Sequence, residues 1–157
     1  MSLENKIDCL FLVAKSSGKT YQKLSVTYSA IEPPTWALLL AQSTRDIGYK
    51  VSILDANAED LSEQKILERV KVLQPKLICL VVYGQNVNAG TTNMSGATHV
   101  SEYLKKNINI PISIVGSHVQ ALPIETLEKE KSIDFVFTNE GVYALRNVLK
   151  VEKYSVE

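Results

Sequence analysis

Leu77-Ile78-Cys79-Leu80-Val81-Val82 is an unbroken apolar run, and it limits what this chain can fold into more than any other feature. A half-exposed strand alternates apolar with polar residues. A continuous run predicts a strand covered on both faces, as in a parallel sheet with helices above and below. Ile7 to Ala14 reads in the same way, and shorter strands are expected at Lys50 to Leu54, at Ile110 to Val115 and at Ile133 to Phe137.

Helical spacing follows each run. Pro33-Pro34 opens the first helix, where the missing N–H of proline costs nothing. Trp36, Leu39, Leu40 and Ile47 mark its apolar face, and Gly48 its stop. Asp60 and Glu63 read as a capping box before a helix with Ile66, Val70 and Leu73 on its buried face and Pro75 at its end. Tyr83 to Gly96 reads as a polar, glycine-punctuated connection. Met94, Ala97, Val100 and Leu104 then carry a helix toward Lys105-Lys106, cations suited to the negative end of its dipole. Pro111 is tolerable only near the start of the fourth strand. Pro123 to Lys131 is expected to be a short helix and Glu140 to Leu149 the last one.

Five strand–helix units in strict alternation predict an α/β fold: a flavodoxin-like, doubly wound five-stranded parallel sheet of order 2-1-3-4-5, Rossmann-like in architecture. Ligands of such sheets bind outside the carboxyl ends of the strands. The segments to inspect are therefore Ser16–Pro34, Asp55–Asp60, Tyr83–Asn93, Gly116–Leu122 and Asn139–Gly141.

Charge and cysteine content remove several function classes. Lys plus Arg and Asp plus Glu number 17 each, with no basic stripe, so no nucleic-acid partner is expected. No apolar run is long enough to span a bilayer, and Glu4 and Asp8 spoil a signal-peptide pattern, so no membrane partner is expected either. Cys9 and Cys79 lie inside apolar runs, as buried thiols of a reducing, cytoplasmic compartment would. Two distant thiols cannot hold zinc or an iron–sulfur cluster.

Familiar chemistries of this topology fail on particular residues. Ser17-Gly18-Lys19-Thr20 resembles the end of a phosphate-binding loop, but Val13 stands where the first glycine is needed. A phosphoryl receiver needs an aspartate after the third strand, and Val82-Tyr83 stands there. No nucleophile elbow accompanies His99 or His118. His99 falls within a helix as a surface or packing residue. His118 follows the fourth strand at the functional edge, where a backbone-capping and a ligand-contacting role are both open. Tyr83 to Asn93 is long and polar without charge, suited to a large ligand carrying amides, although Asn and Gly also favour simple turns.

Taken in order, these segments resemble the N-terminal cobalamin-binding domain of cobalamin-dependent radical S-adenosylmethionine enzymes, the group that includes methyltransferases and magnesium-protoporphyrin monomethyl ester cyclases. The resemblance is carried by Glu32-Pro33-Pro34-Thr35-Trp36, by Arg45 to Val51 leading to Leu54-Asp55, and by Val82-Tyr83-Gly84-Gln85-Asn86. Thr92-Asn93-Met94-Ser95-Gly96-Ala97, Gly116 to Pro123 and Glu140-Gly141 complete it, so that it covers Ile7 to Leu149. It implies that Pro33, Pro34, Thr35, Tyr83, Gly84, Gln85, Asn86, Thr92, Asn93, Gly116, Ser117, His118, Glu140 and Gly141 contact cobalamin. The nucleotide tail would enter beside the sheet, where Gly84, Gly90 and Gly116 leave room.

The methionine-synthase-type Asp-x-His-x-x-Gly element, whose histidine ligates cobalt, is missing after the first strand, which implies cobalamin without a protein histidine as lower ligand, as in many radical relatives; Tyr83, Gln85 or water would approach instead. Val115-Gly116 replaces a usual Gly-Gly, and Asn139-Glu140-Gly141-Val142 a usual Gly-Glu-Gly-Glu. Residues 1–150 would then be a cobalamin-binding-like domain and 151–157 a tail leading to a C-terminal radical S-adenosylmethionine domain. That domain would hold the iron–sulfur cluster and S-adenosylmethionine, so this chain would not catalyse alone. The expected function is a cobalamin-binding module for methyl transfer or cyclase-type chemistry, with homodimerisation through the face a partner domain would cover. A degenerate, non-binding interaction scaffold and a flavin-binding electron carrier are the alternatives.

Overall fold

Successive side chains of a strand point to opposite faces, so the continuous apolar run at Leu77–Val82 must supply two cores rather than one. A computed structural model describes residues 6–15, 32–84 and 87–151. Within them lie β1 (Cys9–Val13), α1 (Thr35–Arg45), β2 (Val51–Asp55), α2 (Glu63–Leu73), β3 (Leu77–Val82), α3 (Val87–Asn107), β4 (Ile112–Gly116), α4 (Ser117–Ala121), α5 (Pro123–Lys129), β5 (Phe135–Phe137) and α6 (Val142–Leu149). All pairings are parallel, and the sheet order is β2-β1-β3-β4-β5, as the alternation predicts.

Leu10, Leu12, Ile78, Leu80, Ile112 and Ile114 face α2 and α3, where they meet Ile66, Val70, Ala97 and Leu104. Cys9, Phe11, Cys79, Val81 and Val115 face α1 and α6, where they meet Ala37, Leu40, Leu145 and Leu149. The two faces are therefore separate hydrophobic layers sharing one backbone sheet. Cys9 and Cys79 are buried free thiols; burial raises both, Cys79 to about 12, so neither is a thiolate near neutrality.

Several boundaries move. β1 is shorter than Ile7–Ala14, β2 shifts to Val51–Asp55, β4 begins after Pro111, and β5 starts at Phe135. The capping box is corrected: Asp60 has a left-handed backbone (φ 50°) and pairs with Lys15, while Ser62 caps α2 by accepting from the Lys65 N–H at 3.5 Å. α1's apolar face is also corrected. Its buried stripe is Ala37, Leu40, Ala41 and Thr44, whereas Trp36, Leu39 and Ile47 are exposed. Small residues let the helix lie close to the sheet, which turns the larger apolar side chains outward.

The polar connection expected from Tyr83 to Gly96 is in fact mostly helix, since α3 begins at Val87. The short helix α4 after β4 carries no signal strong enough to predict it. Ser17–Thr20, Gln85, Asn86 and the tail after Val151 lie outside the described residues.

Gly116 pairs with Val82 across β3 and β4. An added Cβ there would overlap the Val82 carbonyl oxygen and stand 2.8 Å from its carbon, a clash with backbone that no side-chain rotation relieves. Gly116→Ala is expected to lower the unfolding free energy by about 2 kcal/mol. Leu80→Ala, which opens a cavity in the α2/α3 layer, should cost about 3 kcal/mol. Urea denaturation followed by circular dichroism measures both; a Gly116→Ala protein as stable as the parent would mean that β3 and β4 do not approach this closely.

Candidate functional site

Because all five strands are parallel, their carboxyl ends (Val13, Asp55, Val82, Gly116 and Phe137) share one edge. α1 begins at that edge. Pro34 stands at its N-cap position with φ −77°, so the prolines precede the helix rather than enter it. Thr35, the first helical residue, is exposed, and its hydroxyl reaches the Pro33 carbonyl at 3.4 Å.

Trp36 stacks on Tyr83 with ring centroids 4.5 Å apart and planes 23° from parallel. Tyr83 follows directly on β3, and its O–H donates to the Asn139 carbonyl at 3.2 Å. The stack thereby joins the start of α1, the end of β3 and the β5–α6 turn. That turn is tight. Asn139 has φ 53° and Gly141 φ 72°, and a Cβ on Gly141 would stand 2.9 Å from Val115 Cγ2. Glu140 is exposed at its tip.

A second group gathers where α3, β3 and β4 meet. Asn93 donates from Nδ2 to the Tyr83 carbonyl at 3.5 Å. Thr91 Oγ1 lies 3.2 Å from His118 Nδ1. The Ser117 hydroxyl is buried and has no hydrogen-bond partner among the described residues. Gly90 seats directly upon it: an added Cβ would overlap the Ser117 oxygen and lie 3.5 Å from the Val82 carbonyl oxygen. Thr92 and Gly84 are half-buried beside this group.

Of the residues singled out from the sequence, the structure brings together Tyr83, Asn93, Gly116, Ser117, His118 and Gly141, with Pro33, Pro34 and Thr35 at the rim. Gln85 and Asn86 lie outside the described residues. The room expected at Gly90 and Gly116 is corrected: the chain itself fills it, with Ser117 against the one and Val82 against the other. Trp36 was legible as an apolar helix residue but not as the partner of Tyr83, because its periodicity matched a buried stripe. Thr91 and Asn139 gave no signal beyond lying in edge segments.

The edge carries the carboxylates of Asp55 and Glu140. Lys15 and Asp60 form an ion pair on its β2 side. No group of three or more His, Cys, Asp or Glu could hold a metal ion among the described residues. His99 is exposed and sits 3.2 Å from Glu63, in keeping with a surface role. Beside the edge, a groove of about 370 Å³ between α1 and β2 is lined by Thr35, Leu38, Leu39, Ala41, Gln42, Arg45 and Ile53. No helix is long and apolar enough to cross a membrane among the described residues.

The Tyr83 phenol is held above its ordinary value because burial disfavours the phenolate, with the Glu140 carboxylate adding to the effect. The neutral phenol therefore favours the folded state. That contribution is complete below the ordinary tyrosine value of about 10 and is lost as pH rises through the folded value. A near-ultraviolet pH titration of the parent minus Tyr83→Phe should isolate a tyrosine ionising above the ordinary range. The same variant should lose about 1 kcal/mol of stability with the Asn139 hydrogen bond. A difference curve centred at the ordinary value would mean that the ring is solvated.

A family model for the B12 binding domain matches residues 21–149. No curated protein matches the chain. Among solved structures, the chain is similar to the radical S-adenosylmethionine methyltransferase TsrM from Kitasatospora setae with tryptophan substrate and a SAM analog (aza-SAM) bound. The identity is 14% and the TM-score 0.67, over 93% of this chain and 25% of that one. A structure of TsrM with cobalamin and a 4Fe-4S cluster bound gives 14% identity and a TM-score of 0.66, over 95% and 24%. The chain thus spans about a quarter of that enzyme, and at this identity the likeness is one of fold. With the family model reaching through α6 and the sheet in the order 2-1-3-4-5, this chain belongs to the B12 binding domain family.

Proposed function

We propose that this chain is a cobalamin-binding module serving a radical S-adenosylmethionine domain, with methyl transfer as the reaction it supports. The observation that carries the proposal is the coincidence of the family match with a strand edge that bears the Trp36–Tyr83 stack. Cobalamin presents a flat macrocycle fringed by amides and a nucleotide tail. Trp36 and Tyr83 offer a flat apolar surface of the same character, and Asn93, Thr91, His118 and the Asn139 turn place hydrogen-bonding groups along the same edge. The buried Ser117 hydroxyl, unpaired among the described residues, is a group that a ligand acceptor would satisfy.

Bound cobalamin would supply the methyl-carrying cobalt. The residues of this chain bind and orient it and keep water from one face. In this reading Tyr83 is a packing and hydrogen-bonding group rather than a cobalt ligand, since its phenol stays protonated and engages Asn139. Methyl transfer is preferred to cyclase-type chemistry because TsrM, the fold neighbour with cobalamin bound, is a methyltransferase. The cluster and S-adenosylmethionine would belong to the separate catalytic domain beyond residue 150. The non-binding scaffold is the second reading, and the observation in its favour is that Gly90 and Val82 fill the space beside the sheet.

Hydroxocobalamin mixed with the purified protein is expected to co-elute with it on gel filtration, with a visible spectrum showing loss of the lower base. Trp36→Ala and Tyr83→Ala should each weaken binding about tenfold. Colourless protein fractions at high concentrations of both components would remove the proposal in favour of the scaffold, and a yellow protein as isolated would point to flavin.

A further inference from the structure

An outer strand leaves one row of backbone groups unpaired, and proteins blunt such edges by shortness, proline, a bulge or lysine. β5 is blunted by shortness, being three residues long. β2, the opposite outer strand, has five residues, Val51 to Asp55, with no proline and no lysine among them. Which of its groups face outward follows from its pairing with β1. The Lys50 carbonyl accepts from the Asp8 N–H at 2.7 Å, and the Ala56 N–H donates to the Val13 carbonyl at 2.9 Å. Even-numbered residues therefore bond inward to β1, while Val51 and Ile53 turn both N–H and C=O away from the sheet. Neither has a backbone partner on that side among the described residues.

Apolar surface accompanies this bare edge. α1 packs on β1 and β2, and the groove between α1 and β2 is lined by Leu38, Leu39 and Ile53. Leu38 is 50% exposed and Leu39 56%. We propose that the β2 edge is a homodimer interface, at which a second copy pairs its own β2 antiparallel to this one and the two α1 helices close over the seam. With a two-fold axis normal to the sheet at Ser52, facing residues lie on the same face of the sheet. Val51 then opposes Ile53 of the second copy, and the outward groups of each satisfy those of the other. Ser52 opposes Ser52 of the second copy on the face that carries Leu54.

Helix spacing and charge both suit this arrangement. α1 lies over β1 and β2, so continuing the sheet sets the two α1 axes apart by two strand spacings of about 4.8 Å each. The resulting separation of about 10 Å is an ordinary helix-packing distance, and it brings Leu38 and Leu39 of each copy against the groove of the other. Arg45 and Lys50 lie where α1 ends and β2 begins, and Glu32 and Asp55 lie at the opposite end, before α1 and at the close of β2. Antiparallel pairing sets these opposite charges beside one another, whereas a parallel second copy would set like charges together. The dimer forms with or without a bound corrinoid, so its test is separate from that of the cobalamin reading.

Sedimentation equilibrium of the purified chain is expected to show monomer and dimer in exchange. Ser52→Lys and Ser52→Glu each set like charges opposite one another at the axis, and each should weaken the dimer about tenfold while keeping the parent's circular dichroism. Mixing the two variants sets a lysine opposite a glutamate and should restore dimerisation, which damage to the fold at position 52 would not do. Hydrogen exchange reads the same edge without mutation: the Val51 and Ile53 amides of the parent should gain protection as its concentration rises. A parent that stays monomeric at millimolar concentration overturns the proposal. So does a dimer that both Ser52 variants leave intact, or a mixture of folded variants that stays monomeric. Val51 and Ile53 amides already protected in the dilute monomer also overturn it, because the edge is then covered within one chain.

Discussion

Everything at the functional edge depends on β3 being paired in parallel with β1 on one side and β4 on the other, so that the ends of three strands are held in register. The central strands of a parallel sheet with helices on both faces are covered on both sides, and β3 is buried along its whole length. Its last residue, Val82, is fixed by its pairing with Gly116. That pairing sets where Tyr83 emerges on one face and where Ser117 emerges on the other. The aromatic stack and the buried serine are thus two outcomes of one register.

How far the sequence could be read follows from which signals are local. The five strands and their order come from continuous apolar runs and alternation, and only their ends moved. Local patterns failed where a tertiary contact decides the outcome. Gly90 to Asn93 read as a loop because their propensities oppose a helix, and contacts to Ser117, His118 and the Tyr83 carbonyl override that preference. Trp36 read as a core residue because its spacing matched Leu40, while the helix instead presents Ala37 and Ala41 to the sheet. Of the site, the edge segments were legible from topology. The Trp36–Tyr83 stack and the seating of Gly90 on Ser117 join residues far apart in sequence and carry no local signature.

The site's electrostatics are muted. Asp60 spends its charge on Lys15, and Tyr83 keeps its proton. Beside the exposed Glu140 carboxylate, what remains is a surface of flat rings, amides, hydroxyls and an imidazole, which discriminates mainly by shape and hydrogen bonding. Such a surface gains little from long-range steering and much from burial and exclusion of water.

Arg146 on α6 donates to the Ser43 carbonyl at 2.9 Å and to the Ser43 hydroxyl at 2.8 Å, latching the last described helix to the first across 103 residues of sequence. Leu145 and Leu149 complete the layer that Cys9, Phe11 and Ala37 begin. During synthesis from the N-terminus, the α2/α3 layer can therefore assemble while the opposite face of the sheet still lacks α6. For that interval α1 alone covers the sheet face that carries Phe11, Cys79 and Val81, and part of that apolar face stays open to solvent.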